Sequence, residues 1–202
     1  MLLVGLTGNI ASGKTTVSRL LAARGLPIID ADVLAREAVL PGTQAFERIV
    51  KRWGPEILAH YGSLDRAKLR RIVFADPKQR EELNNFVHPE VNRRRRSLVS
   101  AARARGEPIV VSDIPLLFEA GLVSEFDAVI LVDAPNEIRR ERLMRDRGLS
   151  GPDADAMIDA QMPAELKRQR ADYVIDNVGS RDTLVARIDE IWRALEQRSQ
   201  PG

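Results

Sequence analysis

The sequence of 202 residues contains no cysteine and only two histidines, His60 and His88. Without thiols the chain can form neither a disulfide framework nor a thiolate metal site, and two histidines are too few for a histidine-rich metal site. Aromatic residues make up only 4% of the chain, which is poor material for stacking against nucleic-acid bases. The net charge of +2 is close to neutral, so no nucleic-acid partner is predicted.

Long apolar stretches are also lacking. The longest apolar runs span about five residues, against the ~20 that a membrane-spanning helix needs. The first residues do not combine a basic segment with a long apolar stretch, as a signal peptide would. A soluble, cytoplasmic protein without a membrane segment is therefore predicted. Its apolar content of 44% and charged content of 30% are those of an ordinary globular protein.

Against these absences stands one strong motif, GNIASGKT at residues 8–15, directly behind the apolar run 2–6. It fits the phosphate-loop pattern, in which two glycines are followed by Lys and then Ser or Thr. The backbone N–H groups of such a loop and the positive end of the next helix bind phosphate. Lys14 would reach the β- and γ-phosphates of a nucleotide, and the Thr15 hydroxyl would ligate Mg²⁺. The nucleotide-binding residues predicted in this segment are Gly8, Ala11, Ser12, Gly13, Lys14, Thr15 and Thr16.

The alternative for this motif is an ordinary strand-to-helix turn with a solvated lysine. The surrounding pattern disfavours it, because an apolar strand precedes the loop and Val17, Leu20 and Leu21 follow it at helical spacing. A phosphate loop requires that strand–loop–helix context. ATP and Mg²⁺ are therefore the predicted cofactors.

Short apolar segments alternate with helical patterns along the chain, at 2–6, 27–30, 108–113, 128–132 and 173–176. This alternation predicts an α/β fold of three layers, with a five-stranded parallel sheet flanked by helices. Residues 43–105 show helical patterns and no strand. That length indicates an inserted helical subdomain rather than a simple crossover.

Acidic residues end two of the predicted strands. Asp30 and Asp32 follow the second strand and Asp113 closes the third, at the edge where open α/β sheets place their ligands. Asp30 and Asp32 can equally cap the helix that comes next, and from position alone both interpretations stay open. Asp113 closes a strand beside the loop.

Arginines are concentrated in two helical stretches. In the first, residues 93–96 are four consecutive arginines, for which a solvated helix face is favoured over contacts to an anionic substrate. In the second, after the fourth strand, Arg142 and Arg145 are three residues apart and share a helix face. A closing segment that carries arginine suits phosphoryl transfer, because it neutralises phosphate charge and excludes water. The alternative is surface pairing with Glu137, Glu141 and Asp146.

Taken together, these segments resemble the dephospho-coenzyme A kinase family. The resemblance covers nearly the whole chain, in the family's order, and rests on Gly5 to Thr15, Asp30-Ala31-Asp32, His88-Pro89, Ile114 to Glu119, Arg142 to Arg145, Gln161-Met162-Pro163, and Ile175-Asp176-Asn177 with Gly179. It implies a nucleoside-monophosphate-kinase-like P-loop fold. It also implies transfer of the γ-phosphoryl group of ATP to the ribose 3′-hydroxyl of dephospho-CoA with Mg²⁺, the final step of coenzyme A biosynthesis.

The resemblance divides the single domain into a core, a helical CoA-binding subdomain and a lid, which correspond to residues 1–42 with 106–138 and 171–202, residues 43–105, and residues 139–170. It implies that Asp32 is the base for the ribose hydroxyl and that Asp113 holds Mg²⁺ through water. The implied catalytic residues are Asp32, Lys14 and Arg142. The nucleotide site gains Arg142, Arg145, Asn177 and Gly179. The implied substrate-binding residues are Asp32, His88, Leu116, Leu117, Phe118 and Glu119.

Three positions call for separate expectations. His88, before Pro89, is more simply explained as a helix-start residue than as a catalytic base. Asn9 and Ala11 stand where the family usually has glycines. Asparagine tolerates a positive φ, whereas Ala11 is expected to need an ordinary α or β conformation.

Other functions fit the sequence less well. Another small-molecule or nucleoside-monophosphate kinase of the same fold is the nearest alternative. A GTP switch would need a guanine-reading Asn-Lys-x-Asp, which is missing. A nucleic-acid-binding module on the arginine cluster is disfavoured by the low charge and the few aromatic residues.

Overall fold

The structure is a computed structural model that describes residues 1–200. Over that range the chain forms five strands, β1 (Leu2–Gly8), β2 (Ile28–Asp30), β3 (Ile109–Asp113), β4 (Ala128–Asp133) and β5 (Tyr173–Asp176). Its α-helices are α1 (Lys14–Ala22), α2 (Ala31–Ala38), α3 (Gln44–Trp53), α4 (Arg66–Ala75), α5 (Pro77–Ala104), α6 (Asn136–Arg147), α7 (Gly151–Asp159), α8 (Ala164–Arg168) and α9 (Arg181–Ser199).

The strands form one sheet in the order β2-β3-β1-β4-β5. β1 pairs in parallel with both β3 and β4, and β4 pairs in parallel with β5. In this register Leu6 lies beside Asp113 and Gly8 beside Val132. The carboxyl ends of β1, β3 and β4 therefore lie at one edge, where the phosphate loop leaves β1. The predicted α/β fold with a parallel sheet flanked by helices is confirmed.

The core of the sheet lies between its strands and the helices packed on them. Every residue of β3 and β4 is buried, as expected for strands covered on both faces. The apolar stripe of α9 joins the same core through Leu184, Ile188, Ile191 and Leu195. Each Å² of apolar surface removed from water stabilises the fold by about 25 cal/mol. This core is therefore the main source of stability for the sheet edge that carries the phosphate loop.

The chain divides into two compact units, residues 1–29 with the chain from 102 onward, and residues 30–101. We call the first the sheet unit and the second the helical unit. Most of the helical insertion predicted at 43–105 lies in the helical unit, which also contains α2. The helical unit has an apolar core of its own, formed by Ile49, Trp53, Ile57, Leu64, Leu69 and Val73.

Several helix boundaries follow from capping side chains. Thr43, Asp65 and Ser180 each accept a hydrogen bond from an N–H group in the first turn of α3, α4 and α9, respectively, and so act as N-caps. The predicted helix start at His88-Pro89 is wrong, because both residues lie inside α5. Pro89 lacks an N–H but is tolerated there in a helix of 28 residues. Within residues 1–200, no helix combines the length and the apolar character that crossing a membrane requires.

Candidate active site: the phosphate loop and its supports

The loop between β1 and α1 has the geometry of an anion-binding turn. β1 ends at Gly8, and α1 begins at Lys14 behind Gly13, whose φ of 91° is left-handed. Ser12 N–H donates to the Asn9 carbonyl at 3.0 Å, which closes the turn. The first amides of a helix have no intrahelical carbonyl to bond, so the start of α1 offers donors and a positive dipole end to a phosphate.

The first glycine of the motif is required by close packing. A Cβ at Gly8 would lie 2.7 Å from the Val132 carbonyl oxygen and 2.7 Å from Ser12 Oγ. Both distances are shorter than real Cβ contacts, and the Val132 oxygen belongs to the neighbouring strand and cannot move aside. Ser12 itself is fully buried, which anchors the turn beneath the start of the helix.

The expectation for Ala11 is wrong. Ala11 has a φ of 57°, and it is the one non-glycine residue with positive φ in the described part of the chain. Its methyl group packs with Ile10 against an apolar cluster of Leu143, Ala154 and Ile158. Left-handed backbone costs an L-residue about 1–2 kcal/mol, and packing against α6 and α7 offsets part of that cost.

Asn9 is the other position where the family usually has glycine, and here its side chain makes a hydrogen bond outside the loop. It is buried, and its Nδ2 donates to Asp133 Oδ1 at 2.8 Å. Asn9 therefore ties the loop to the end of β4, a role that the expectation of positive φ did not foresee.

Three side chains from distant segments bind the outer backbone of the loop. Gln161 Oε1 accepts from Ile10 N–H at 2.7 Å. Arg142 Nη1 donates to the Ala11 carbonyl at 3.1 Å, and Asn177 Nδ2 donates to the Ser12 carbonyl at 2.7 Å. Arg142 and Asn177 are also joined, since Arg142 Nη2 donates to the Asn177 carbonyl at 2.9 Å. Two predicted site residues are thus brought to the loop, together with Gln161, which sequence reasoning missed as a site residue.

Lys14 forms an ion pair with Asp113, which is 3% exposed at the end of β3. Thr15 and Thr16 are exposed on the first turn of α1. The lysine, the carboxylate and the hydroxyls predicted to bind phosphate and metal therefore occur together in the sheet unit. Among residues 1–200 no cluster of three or more acidic or histidine side chains is arranged to hold a metal ion.

The arginines of α6 differ in their contacts. Arg145 bonds to Asp146 at 2.7 Å, which raises the pKa of Arg145 and lowers that of Asp146. This pairing is the surface alternative considered for the arginine stretch. Arg139 is buried, and burial lowers its pKa. Arg142 is the arginine of this helix that contacts the loop.

A charged network joins the ends of β4 and β5 to α8. Arg168 Nη1 lies 3.1 Å from Asp133 Oδ2 and 2.6 Å from Asp176 Oδ1. The hydrogen bond from Arg168 lowers the pKa of Asp176, and the same bond raises that of Arg168. Asn177 N–H donates to the Asp133 carbonyl at 2.8 Å, so this network positions Asn177. The predicted nucleotide-site residue Gly179 follows it as an exposed residue before α9.

The predicted substrate-binding residues 116–119 differ in their exposure to solvent. Leu116 is 48% exposed, whereas Leu117 and Phe118 are buried. Glu119 Oε1 lies 2.6 Å from Nζ of the fully buried Lys167, and it accepts from Met162 N–H at 3.2 Å. Leu116 and Glu119 are accessible to a ligand, while Leu117 and Phe118 pack the segment onto the sheet unit.

In the helical unit, Asp30 and Asp32 have different surroundings. Asp30 Oδ1 accepts from the N–H groups of Asp32 and Val33 at 2.8 and 3.1 Å and so caps α2. The Asp32 carboxylate is exposed in the first turn of that helix. Capping therefore accounts for Asp30 and leaves Asp32 available for chemistry.

The remaining predicted substrate residue, His88, is exposed on α5. In the adjacent arginine run, Arg93 and Arg94 both donate to Glu90, at 2.7 Å each in the shorter contacts. The hydrogen bond from Arg93 is the main cause that lowers the pKa of Glu90 to about 2. Arg95 is buried. Arg93 and Arg96 are exposed, as on the solvated face favoured from the sequence, whereas Arg94 is partly buried.

Comparison with known proteins gives a consistent answer. A family model described as dephospho-CoA kinase matches residues 2–182. The dephospho-CoA kinase of Anaeromyxobacter dehalogenans is 46% identical over 195 residues, which cover 96% of this chain and 92% of that protein.

Solved structures show the same similarity. The crystal structure of TT1252 from Thermus thermophilus matches with a TM-score of 0.78 and 40% identity, over 99% of this chain and 98% of that one. The dephospho-CoA kinase from Campylobacter jejuni matches with a TM-score of 0.76 and 25% identity, over 98% of both chains.

Proposed function

The chain belongs to the dephospho-CoA kinase family, and we propose that it transfers the γ-phosphoryl group of ATP to the ribose 3′-hydroxyl of dephospho-CoA with the residues assigned below. The products are CoA and ADP, which makes this the last step of coenzyme A biosynthesis. The observation that carries the assignment is the phosphate loop at the end of the central strand, with left-handed Gly13 before α1 and Lys14 at its first position. The full-length family match favours this acceptor over those of other small-molecule kinases and over a nucleic-acid module.

The sheet unit supplies the groups for the triphosphate. The amides at the start of α1 would bind phosphate oxygens, and Lys14 would exchange its contact with Asp113 for the β- and γ-phosphates. Arg142 carries donors beyond those that hold the Ala11 and Asn177 carbonyls, and these are available to the transferring group. Asn177 and Gly179 would border the adenine, and Arg145 would reach the nucleotide only by leaving Asp146.

Magnesium fits the donors of this site. Mg²⁺ in kinases is usually held by one or two protein oxygens together with phosphates and water. Thr15 offers an exposed hydroxyl on the first turn of α1, and Asp113 offers a buried carboxylate at the end of β3. The ion would neutralise charge that develops on the phosphoryl oxygens. Thr15 would bind it directly and Asp113 through water.

The acceptor hydroxyl needs a base. Asp32 is our assignment, because its carboxylate is exposed at the start of α2 while Asp30 makes the helix cap. A carboxylate within hydrogen-bond reach of the ribose hydroxyl accepts its proton as the new P–O bond forms. Residues 43–105, with His88, would bind the CoA portion, Leu116 and Glu119 would border the acceptor, and residues 139–170 would close as a lid. A cytoplasmic location is part of the same proposal.

The experiment is a coupled assay of ADP release with dephospho-CoA present and absent. ADP release that depends on dephospho-CoA, with CoA as the product by mass spectrometry, is the expected result. Equal release without the acceptor, or equal turnover of nucleoside monophosphates, would contradict the acceptor assignment. Lys14→Ala should lose activity by orders of magnitude, and full activity in that variant would remove the loop from the mechanism.

A further inference from the structure

Gln161 and Met162, just before α8, bond to two separate parts of the sheet unit. Gln161 Oε1 accepts from Ile10 N–H in the phosphate loop at 2.7 Å. Met162 N–H donates to Glu119 Oε1 at 3.2 Å. The partners lie 151 and 43 residues away in sequence. Two adjacent residues thus join the loop to the segment after β3.

The bond to Ile10 lies next to the strained residue of the loop. Because a peptide group is planar, a bond to Ile10 N–H orients the peptide before Ile10, and the bond from Arg142 to the Ala11 carbonyl orients the peptide after Ala11. Ile10 and the left-handed Ala11 therefore lie between two oriented peptide planes. Strained backbone persists only where its surroundings over-determine it.

Apolar packing supports the same region independently. Ile10 and Ala11 pack against Leu143 of α6 and against Ala154 and Ile158 of α7. This packing places the side chains but is not directional, and the bond from Ser12 N–H to the Asn9 carbonyl at 3.0 Å holds the same peptide group only from its carbonyl side. Gln161 supplies the directional contact for Ile10 that apolar packing lacks.

Gln161 is itself held in place. The next residue, Met162, bonds to Glu119, and Glu119 lies 2.6 Å from Nζ of Lys167, which is fully buried in α8. A buried cation beside one carboxylate fixes both partners, since separating them would leave the charge unpaired at a large cost. The backbone that carries Gln161 is thus fixed on both sides.

We propose that Gln161 is a positioning residue of the phosphate loop, one that orients the Ile10 peptide so that the following amides stay directed at the triphosphate. This inference rests on the proposed binding of ATP at the loop. Gln161 acts through the backbone and does not touch the nucleotide. Loss of its acceptor should therefore weaken the use of ATP and leave the use of dephospho-CoA unchanged.

The test uses two substitutions of similar length. Gln161→Met keeps the shape of the side chain and removes the acceptor, whereas Gln161→Glu keeps an acceptor oxygen. Gln161→Met should raise the KM for ATP about tenfold, the effect of one lost hydrogen bond of about 1.4 kcal/mol. The KM for dephospho-CoA should stay within about twofold on the same argument. Gln197→Met, at an exposed position of α9, is the matched control and should behave as the parent.

A second readout reports the loop directly. Amide hydrogen exchange at Ile10 should be faster in Gln161→Met and return to the parental rate in Gln161→Glu, because the carboxylate still accepts the bond. A lowered midpoint of thermal unfolding with an unchanged KM for ATP would show a merely structural role and overturn the proposal. Unchanged exchange at Ile10 in Gln161→Met would also overturn it.

Failure of the inference is distinguishable from failure of the proposed function. If the parent protein binds ATP calorimetrically but does not phosphorylate dephospho-CoA, the acceptor assignment fails, and the ATP affinities of the parent and Gln161→Met still decide the role of Gln161. If the parent phosphorylates dephospho-CoA and Gln161→Met matches it in ATP affinity, only the positioning role is removed.

Discussion

The phosphate loop and the arginine run of α5, in the helical unit, hold their polar side chains in different ways. In the loop, Lys14 pairs with a residue 99 positions away, and the contacts from Arg142 and Asn177 span 131 and 165 positions. In the helical unit, Glu90 pairs with arginines three and four positions along the same helix. The loop therefore depends on the complete fold, whereas this helical surface depends mainly on one helix, with a single longer contact from Arg94 to Glu37 of α2 at 3.5 Å.

This difference predicts how substitutions behave in each region. Around the loop, the groups that fold the backbone are also those proposed to bind phosphate, so stability and activity should change together. In the helical unit, capping and local ion pairs hold the helices without the proposed base, so the two properties should separate.

Asp32→Asn should produce the largest separation between the loss of activity and the loss of stability. Removal of a general base typically lowers turnover by about 10²–10⁴-fold, and Asn keeps the size of the side chain. Because the Asp32 carboxylate is exposed and Asp30 makes the cap, the midpoint of thermal unfolding should stay unchanged. The affinity for ATP should stay near that of the parent. Steady-state kinetics measure turnover, calorimetry measures ATP affinity, and thermal unfolding measures stability.

Asp30→Asn is the matched control, since Asn caps a helix as well as Asp does. It should leave both stability and turnover near the parental values. If Asp30→Asn lost turnover and Asp32→Asn kept it, the two carboxylates would have to exchange roles.

Gly13→Ala should damage stability and activity together. The residue has a φ of +91°, and a Cβ there would overlap Nδ2 of Asn177. The left-handed strain alone costs about 1–2 kcal/mol, and the overlap would break the bond from Asn177 to the Ser12 carbonyl. We expect a thermal midpoint lower by several degrees and an ATP affinity lower by at least about tenfold, which is 1.4 kcal/mol.

Gly25→Ala isolates the backbone strain. Gly25 has a similar φ of +87°, but a Cβ there would meet no atom within 4 Å. It should lower the thermal midpoint without changing ATP affinity. An equal loss of affinity in both variants would show that strain in general, and not the loop geometry, weakens nucleotide binding.

Local rules explain which parts of the structure were predictable. The phosphate loop, the alternation of strands and helices, and the cap at Asp30 each depend on a few neighbouring residues. His88-Pro89 was misplaced because proline usually marks a helix boundary, while here α5 runs from Pro77 to Ala104 around it.

The supports of the loop could not be predicted in the same way. Gln161 belongs to the Gln161-Met162-Pro163 motif of the family, yet no local pattern indicates that its side chain reaches the amide of Ile10. The positive φ fell on Ala11 rather than on Asn9 because packing against α6 and α7 and hydrogen bonds outweigh intrinsic backbone preference. Packing and hydrogen bonds between distant segments exist only in the folded chain, so a local sequence pattern does not reveal them.

Ala11→Gly should have a small effect, because opposing contributions nearly cancel. Glycine would relieve about 1–2 kcal/mol of left-handed strain. It would also lose about 0.8 kcal/mol of methyl burial and add about 0.5–1 kcal/mol of unfolded-chain entropy. The thermal midpoint should therefore move by no more than about 2–4 °C.

Ala11→Val places a β-branched side chain at a positive φ and should clearly lower the midpoint of thermal unfolding. A neutral effect of Ala11→Val would show that the loop backbone can relax.

Glu90→Gln should have the smallest effect and leave turnover unchanged. The hydrogen bond from Arg93 holds the pKa of Glu90 at about 2, below its ordinary value of 4.5. Stabilisation by the carboxylate is therefore complete above pH 4.5 and is lost as the pH falls towards 2. We expect the variant to melt about 1–2 °C below the parent at pH 7, as for a helix-surface ion pair. This difference in melting temperature should shrink at high salt and vanish near pH 2. Glu81→Gln, at an exposed position of the same helix, is the control and should melt at the same temperature as the parent. A difference that persisted near pH 2 would mean that Glu90 stabilises α5 by packing rather than by charge, and the helical unit would then resemble the loop more than its local pairs indicate.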